Sequence, residues 1–109
     1  MKIYDMDRDT GKTSLLIQIS ATRGARIITA TEAHAKYIKH MALNMNRDIP
    51  EPMSYNKYSH LRQITDEEIL IDELDFLLQS FFPHNKLIAA TRSSSEYKDE
   101  YYELDIERC

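Results

Sequence analysis

The sequence predicts a three-layer α/β domain with a mostly parallel sheet of four to five strands and an edge strand at the C-terminus. Three observations carry that expectation. Short apolar runs alternate with amphipathic stretches in the order βαβαβαβ(β), which implies parallel strands joined by helical crossovers. The chain has 109 residues, enough to bury a core without disulfide or metal staples but too few for two domains. No linker or internal repeat interrupts it, so residues 1–109 are read as a single domain.

The elements follow in order. Ile3-Tyr4 is a short apolar start, and Asp5, Asp7 and Asp9 mark a turn after it. Leu15, Leu16 and Ile19 fall on one helical face, with Gly24 as the stop. Arg26-Ile27-Ile28-Thr29 reads as a short strand. Thr29-Ala30-Thr31-Glu32 fits a capping box, with Thr31 the alternative cap, ahead of a helical stripe of Tyr37, Ile38, Met41, Ala42 and Met45. That Met/aromatic stripe reads as core packing. Pro50 and Pro52 end the element, and Met53 to Arg62, with Tyr55 and Tyr58, reads as a loop or partner-facing excursion. Glu68-Ile69-Leu70-Ile71 is a buried-strand candidate, and Leu74, Leu77, Leu78 and Phe81 mark a helix closed by Pro83. Leu87-Ile88-Ala89-Ala90-Thr91 is a second buried-strand candidate. Tyr102, Leu104 and Ile106 alternate with Glu103 and Asp105 as a half-exposed edge strand.

Composition narrows the function classes. Net charge is -4, but residues 1–62 carry ten Lys/Arg against six Asp/Glu, and residues 63–109 carry four against twelve. A nucleic-acid surface needs clustered cations, so nucleic acid is an unexpected partner for the chain alone. The acidic half is a solvated face, or a patch that docks on a basic protein partner. The one cysteine, Cys109, permits no internal disulfide and suits a reducing compartment. No apolar stretch is long enough for a membrane span, and Met1-Lys2-Ile3-Tyr4-Asp5 lacks the apolar region of a signal peptide, so a cytoplasmic location is expected.

Glycine is scarce, with two in the chain, and one of them precedes Lys12-Thr13. A phosphate cradle needs backbone N–H groups curling round an anion at a helix N-terminus, a lysine, and a hydroxyl for magnesium. Thr10, Gly11, Lys12, Thr13 and Ser14 supply the second half of that pattern; in the first half Met6 stands where glycine is expected. The bland alternative is an ordinary helix start. Ile69-Leu70-Ile71-Asp72-Glu73 has the form of a buried strand delivering Asp72 to Mg²⁺, with Glu73 to orient a water; its alternative is an acidic cap on the next helix. Thr91-Arg92, at a strand end, stands where a γ-phosphate-sensing group would sit.

Gly11-Lys12-Thr13 resembles motif I of the first RecA-like domain of superfamily-1 and -2 helicases. Ile27–Thr31 resembles their motif Ia, Asp72-Glu73-Leu74-Asp75 the DExD box, and Ala89-Ala90-Thr91 motif III. Over residues 1 to 95 the chain looks still more like short bacteriophage-encoded P-loop proteins, which share an I-P-E-P segment like Ile49–Pro52 and an L-I-D-E strand like Leu70–Glu73. The resemblance implies a P-loop domain with the Thr91 strand between the GKT and DE strands. It implies ATP or GTP with Mg²⁺ as ligands, Thr13 and Asp72 as metal residues, and Glu73, Thr91 and Arg92 as catalytic ones. A phage-encoded chain would work in the host cytoplasm.

Two departures limit the comparison. Met6 replaces glycine, and Asp5, Asp7 and Asp9 surround the loop, where a like-charge pair at 4 Å costs about 4 kcal/mol at an effective dielectric near 20. A second RecA domain is missing, and with it an arginine finger in cis, so a helicase motor is not expected and hydrolysis would need a second copy or a partner. Asp5-x-Asp7-x-Asp9 also resembles the start of a calcium loop, but Thr10 and Leu16 stand where Gly and Glu are required. His34, His40, His60 and His84 show no zinc spacing and read as surface histidines. Two functions follow: a minimal nucleotide-binding protein with weak or partner-dependent ATPase activity, or a non-catalytic phage interaction protein, host- or defence-directed, that keeps the fold as scaffold.

Overall fold

The computed structural model describes residues 1–6, 11–61, 67–91 and 105–108. Within them lie strands β1 (Lys2–Asp5), β2 (Arg26–Thr29), β3 (Met53–Ser54), β4 (Ile69–Ile71) and β5 (Asp105–Arg108). The helices are α1 (Lys12–Arg23), α2 (Glu32–Asn44), α3 (Tyr55–Ser59) and α4 (Leu74–Ser80). All pairings are parallel. The protein is therefore α/β, as its sequence pattern implies.

The expected single sheet of four to five strands is replaced by two ladders, β3-β2-β4 and β1-β5. The chain divides into two compact units, Met1–Lys12 with Leu87–Cys109, and Thr13–Lys86. In the first, Lys2 pairs with Asp105 and Asp5 with Arg108. β5 overlaps the expected edge strand at Asp105 and Ile106 and runs on to Arg108, while Tyr102 and Leu104 lie outside the described residues.

In the larger unit β2 is central. Ile28 pairs with Met53 on one side and Ile71 on the other. Successive side chains of a strand point to opposite faces, and both Ile27 and Ile28 are buried, so β2 is covered on both. Ile27 joins Ile17 of α1 and Ile38 and Ala42 of α2 in one apolar cluster. Leu16, Met41, Met45, Ile49 and Leu70 pack round it. Each fully buried isoleucine contributes about 1.5–3 kcal/mol of apolar transfer. The stripe expected on α2 is the one that packs, except for Tyr37, which is exposed. On α1 the most buried residues are Ile17 and Ser20 rather than Leu15, Leu16 and Ile19.

Helix ends account for both glycines. Gly11 (φ 84°) and Gly24 (φ 72°) flank α1 in the left-handed region, where a Cβ is disfavoured. The Gly24 N–H donates to the Ser20 carbonyl at 2.8 Å, closing the helix. α2 ends instead on Asn46 (φ 55°), with the Asn46 N–H to Leu43 and the Arg47 N–H to Ala42. That pair of reversed bonds satisfies the last carbonyls. Arg26 ties the sheet to its flanks, donating to Glu67 at 2.9 Å and to the Glu51 carbonyl at 2.7 Å.

Three expectations are corrected. Met53–Arg62 is not all loop: Met53 and Ser54 are buried on the β2 ladder, and the Ser54 hydroxyl accepts the Lys57 N–H to cap α3. A two-residue strand offers no periodicity to read. Leu87–Thr91 forms no strand and is exposed throughout, Ile88 to 88%. Among the described residues it has no ladder partner, and its alanines favour strands little. β4 is only half-buried at Leu70 and Ile71, and Ile69 is exposed, because its one ladder partner among the described residues is β2.

Ser54 also sets an acid-sensitive contact. Hydrogen bonds from its hydroxyl and then its backbone N–H hold the Glu32 carboxyl below the usual carboxylate range. A lowered folded-state pKa stabilises above the unfolded value and stops doing so as pH falls through the lowered one. Wild type is therefore expected to exceed Glu32→Gln in urea midpoint at pH 7, with the two converging as pH falls through the lowered value. A difference constant with pH would exclude this linkage.

Candidate functional site

The site is built where β2 and β4 end. Ile28 lies opposite Ile71, and the Asp72 N–H continues the ladder by donating to the Ile28 carbonyl at 3.2 Å. That bond sets Asp72 just beyond the carboxyl end of β4, with its side chain 3% exposed. A buried carboxylate needs donors to offset desolvation. Two side chains provide them. The Thr13 hydroxyl, in the first turn of α1, donates to Asp72 Oδ2 at 3.1 Å. His34 Nε2, in the first turn of α2, lies 2.8 Å from the same oxygen.

Local sequence explains how each partner is held. Gly11 immediately precedes α1, whose first turn contains no acidic residue, and Thr13 is the second residue of that helix. At the end of β2 the buried Thr29 hydroxyl donates to the Thr31 carbonyl at 2.7 Å. Thr31 is the N-cap of α2, its hydroxyl accepting the His34 N–H at 3.2 Å. Of the two caps expected for α2, Thr31 is the one used. The His34 ring stacks near Tyr37, with centroids 6.1 Å apart.

Glu73 follows Asp72 as N-cap of α4 in a left-handed backbone (φ 61°, ψ 68°), and its side chain makes no capping hydrogen bond. Glu73 is thus an acidic residue at the start of α4, as the alternative reading of this segment has it, without a side-chain capping bond. A non-glycine residue in that region costs about 1–2 kcal/mol. Glu73→Gly is accordingly expected to raise stability by about 1 kcal/mol in urea unfolding. An unchanged or lower midpoint would show that contacts of Glu73 offset the backbone cost.

Of the expected site residues, Thr13 and Asp72 are brought together. Gly11, Lys12 and Ser14 sit at the start of α1 beside Thr13. Thr91 belongs to the other compact unit, in the exposed Leu87–Thr91 stretch. Thr10, Arg92, Asp7 and Asp9 lie outside the described residues. His34, expected as a surface residue, is instead a partner of Asp72. Nothing in its spacing announces this, since the contact spans 38 positions and depends on how α2 meets the β2–β4 ladder. The capping threonine is the one sequence signal that places it in a first helical turn.

Magnesium takes hard oxygen ligands, and the converging Thr13 hydroxyl and Asp72 carboxylate are of that kind. Residues 11 to 14 fit a phosphate, with a left-handed glycine leading into the first turn of a helix and no first-turn carboxylate to repel it. Among the described residues no three His, Cys, Asp or Glu side chains group as a metal site, and no helix is long and apolar enough to cross a membrane. The chain matches no protein-family model, no curated protein and no solved structure.

Proposed function

We propose that the chain is a minimal P-loop protein that binds ATP, or GTP, with Mg²⁺, and hydrolyses it weakly or only with a partner. The observation that carries this reading is the Thr13–Asp72 hydrogen bond. It joins the residue after Gly11-Lys12 to the carboxylate at the end of β4, across 59 positions. Two motifs identified separately thus meet in one place, at the carboxyl end of a parallel strand, where α/β sheets bind ligands. Lys12 would reach the terminal phosphates, Thr13 and Asp72 would hold the cation, and Glu73 would orient a water. A bound Mg-nucleotide supplies the phosphoanhydride and the cation charge that offsets its negative oxygens.

Titration calorimetry with ATP and with GTP, each with Mg²⁺ and read beside molecular mass, tests the reading. Heat at one site per chain supports it; no binding of either nucleotide at millimolar concentration removes it. In that case the scaffold reading stands, with a basic protein as partner of the acidic C-terminal half.

Turnover is expected to be slow. An arginine finger supplies a rate factor of about 10³–10⁵, and the described Arg23 and Arg26 are bonded to Glu68 and Glu67 instead. The purified protein should release phosphate well below about one per minute, in line with finger-less GTPases. Steady-state phosphate release checks this, with Glu73→Gln as the contamination control: it should bind nucleotide normally and lose turnover. Several turnovers per second, lost in that variant, would show a complete catalytic site in one chain.

A further inference from the structure

Among the described residues bonded to Asp72, His34 is the side chain that the phosphate-binding pattern does not include. A carboxylate only accepts hydrogen bonds, so the contact at 2.8 Å requires His34 Nε2 to carry the proton. Thr13 donates from α1 and His34 from α2, and both reach Oδ2; neither of these bonds uses Oδ1. Two donors on one oxygen, from different helices, fix the rotation of the carboxylate about both side-chain torsions. Asp72 N–H, bonded to Ile28, fixes its backbone. The ring is itself held, its backbone N–H on the Thr31 cap and its plane beside Tyr37.

We propose that His34 is the positioning residue of Asp72, anchoring Oδ2 so that Oδ1 serves the cation that accompanies the nucleotide. The inference rests on the nucleotide reading above. It assigns the outer part of the cation site to α2, an element that carries none of the P-loop motif. Without the imidazole, Asp72 keeps one side-chain donor and can turn its carboxylate, so the cation loses a fixed oxygen while the phosphate cradle on α1 is untouched.

The test compares wild type, His34→Ala and His34→Gln, whose amide Nε2 can replace the imidazole donor. ATP affinity is measured by calorimetry with Mg²⁺ and with EDTA, and urea midpoints confirm that each variant is folded. Imidazole ¹⁵N NMR of ligand-free wild type reads the Nε2 proton. The expected result is an Nε2-bound proton in wild type. His34→Ala should lose at least fivefold of the Mg²⁺-dependent gain in affinity with its EDTA affinity unchanged, and His34→Gln should recover most of it. An undiminished Mg²⁺ gain in His34→Ala, a Gln variant as impaired as the Ala variant, or a bare Nε2 overturns the proposal alone. A wild-type chain that binds no ATP overturns both it and the nucleotide reading.

Discussion

Lys12→Ala is expected to weaken ATP affinity at least tenfold, a loss of about 1.4 kcal/mol, with little change in urea midpoint. Lys12 is the first residue of α1, directly after the left-handed Gly11 and directly before Thr13. A lysine in that place meets the β- and γ-phosphates as a point charge, while the core cluster on which folding depends begins further along α1, at Leu16 and Ile17. Binding and stability should therefore separate. Calorimetry and urea unfolding of the same preparations check both halves. Equal affinity for the two proteins would remove the phosphate-binding role of the loop and leave α1 an ordinary helix start.

Ile27→Ala is expected to cost about 3–4 kcal/mol, a large part of the stability of a domain this size. Ile27 is wholly buried on the central strand and touches the cluster shared by α1 and α2, so its truncation leaves a cavity that neighbours on three elements must close. Ile88→Ala provides the contrast. Its side chain is exposed and outside any strand, and the change should stay within about 0.5 kcal/mol. Both values come from urea unfolding. Similar costs for the two would mean that Ile88 is buried in the folded protein and that the second apolar run packs after all.

These two isoleucines also mark the boundary of what the sequence makes legible. Ile27 and Ile28 sit in a β-branched run between two helices, and run, turn and stripe agree on a buried strand. Leu87–Thr91 has a similar apolar pattern, yet a strand exists only where a second backbone completes its ladder, and no composition states which backbone that is. Met53–Ser54 is the opposite case, two residues whose ladder with β2 makes a strand without any periodicity. At the site, Thr13 and Asp72 were legible because each belongs to a local motif with its own chemical requirement. His34 was not, because its contact with Asp72 arises from the packing of α2 against a neighbouring strand end. Its surroundings in sequence are those of any solvent-facing histidine.

The pairing of β1 with β5 bears on how the protein comes to be folded. Lys2 meets Asp105 in register, so the first described strand has its partner among the last described residues. The larger unit, Thr13–Lys86, closes its ladders over much shorter spans and can form while synthesis continues. Closing a long loop adds only modest entropy per doubling of its length, but contacts so distant in sequence are slow to find. Until β5 is made, the ladder of Lys2–Asp5 is incomplete, and a second nascent chain can complete it. Production at low temperature and low concentration should thus favour monomer over strand-exchanged dimer.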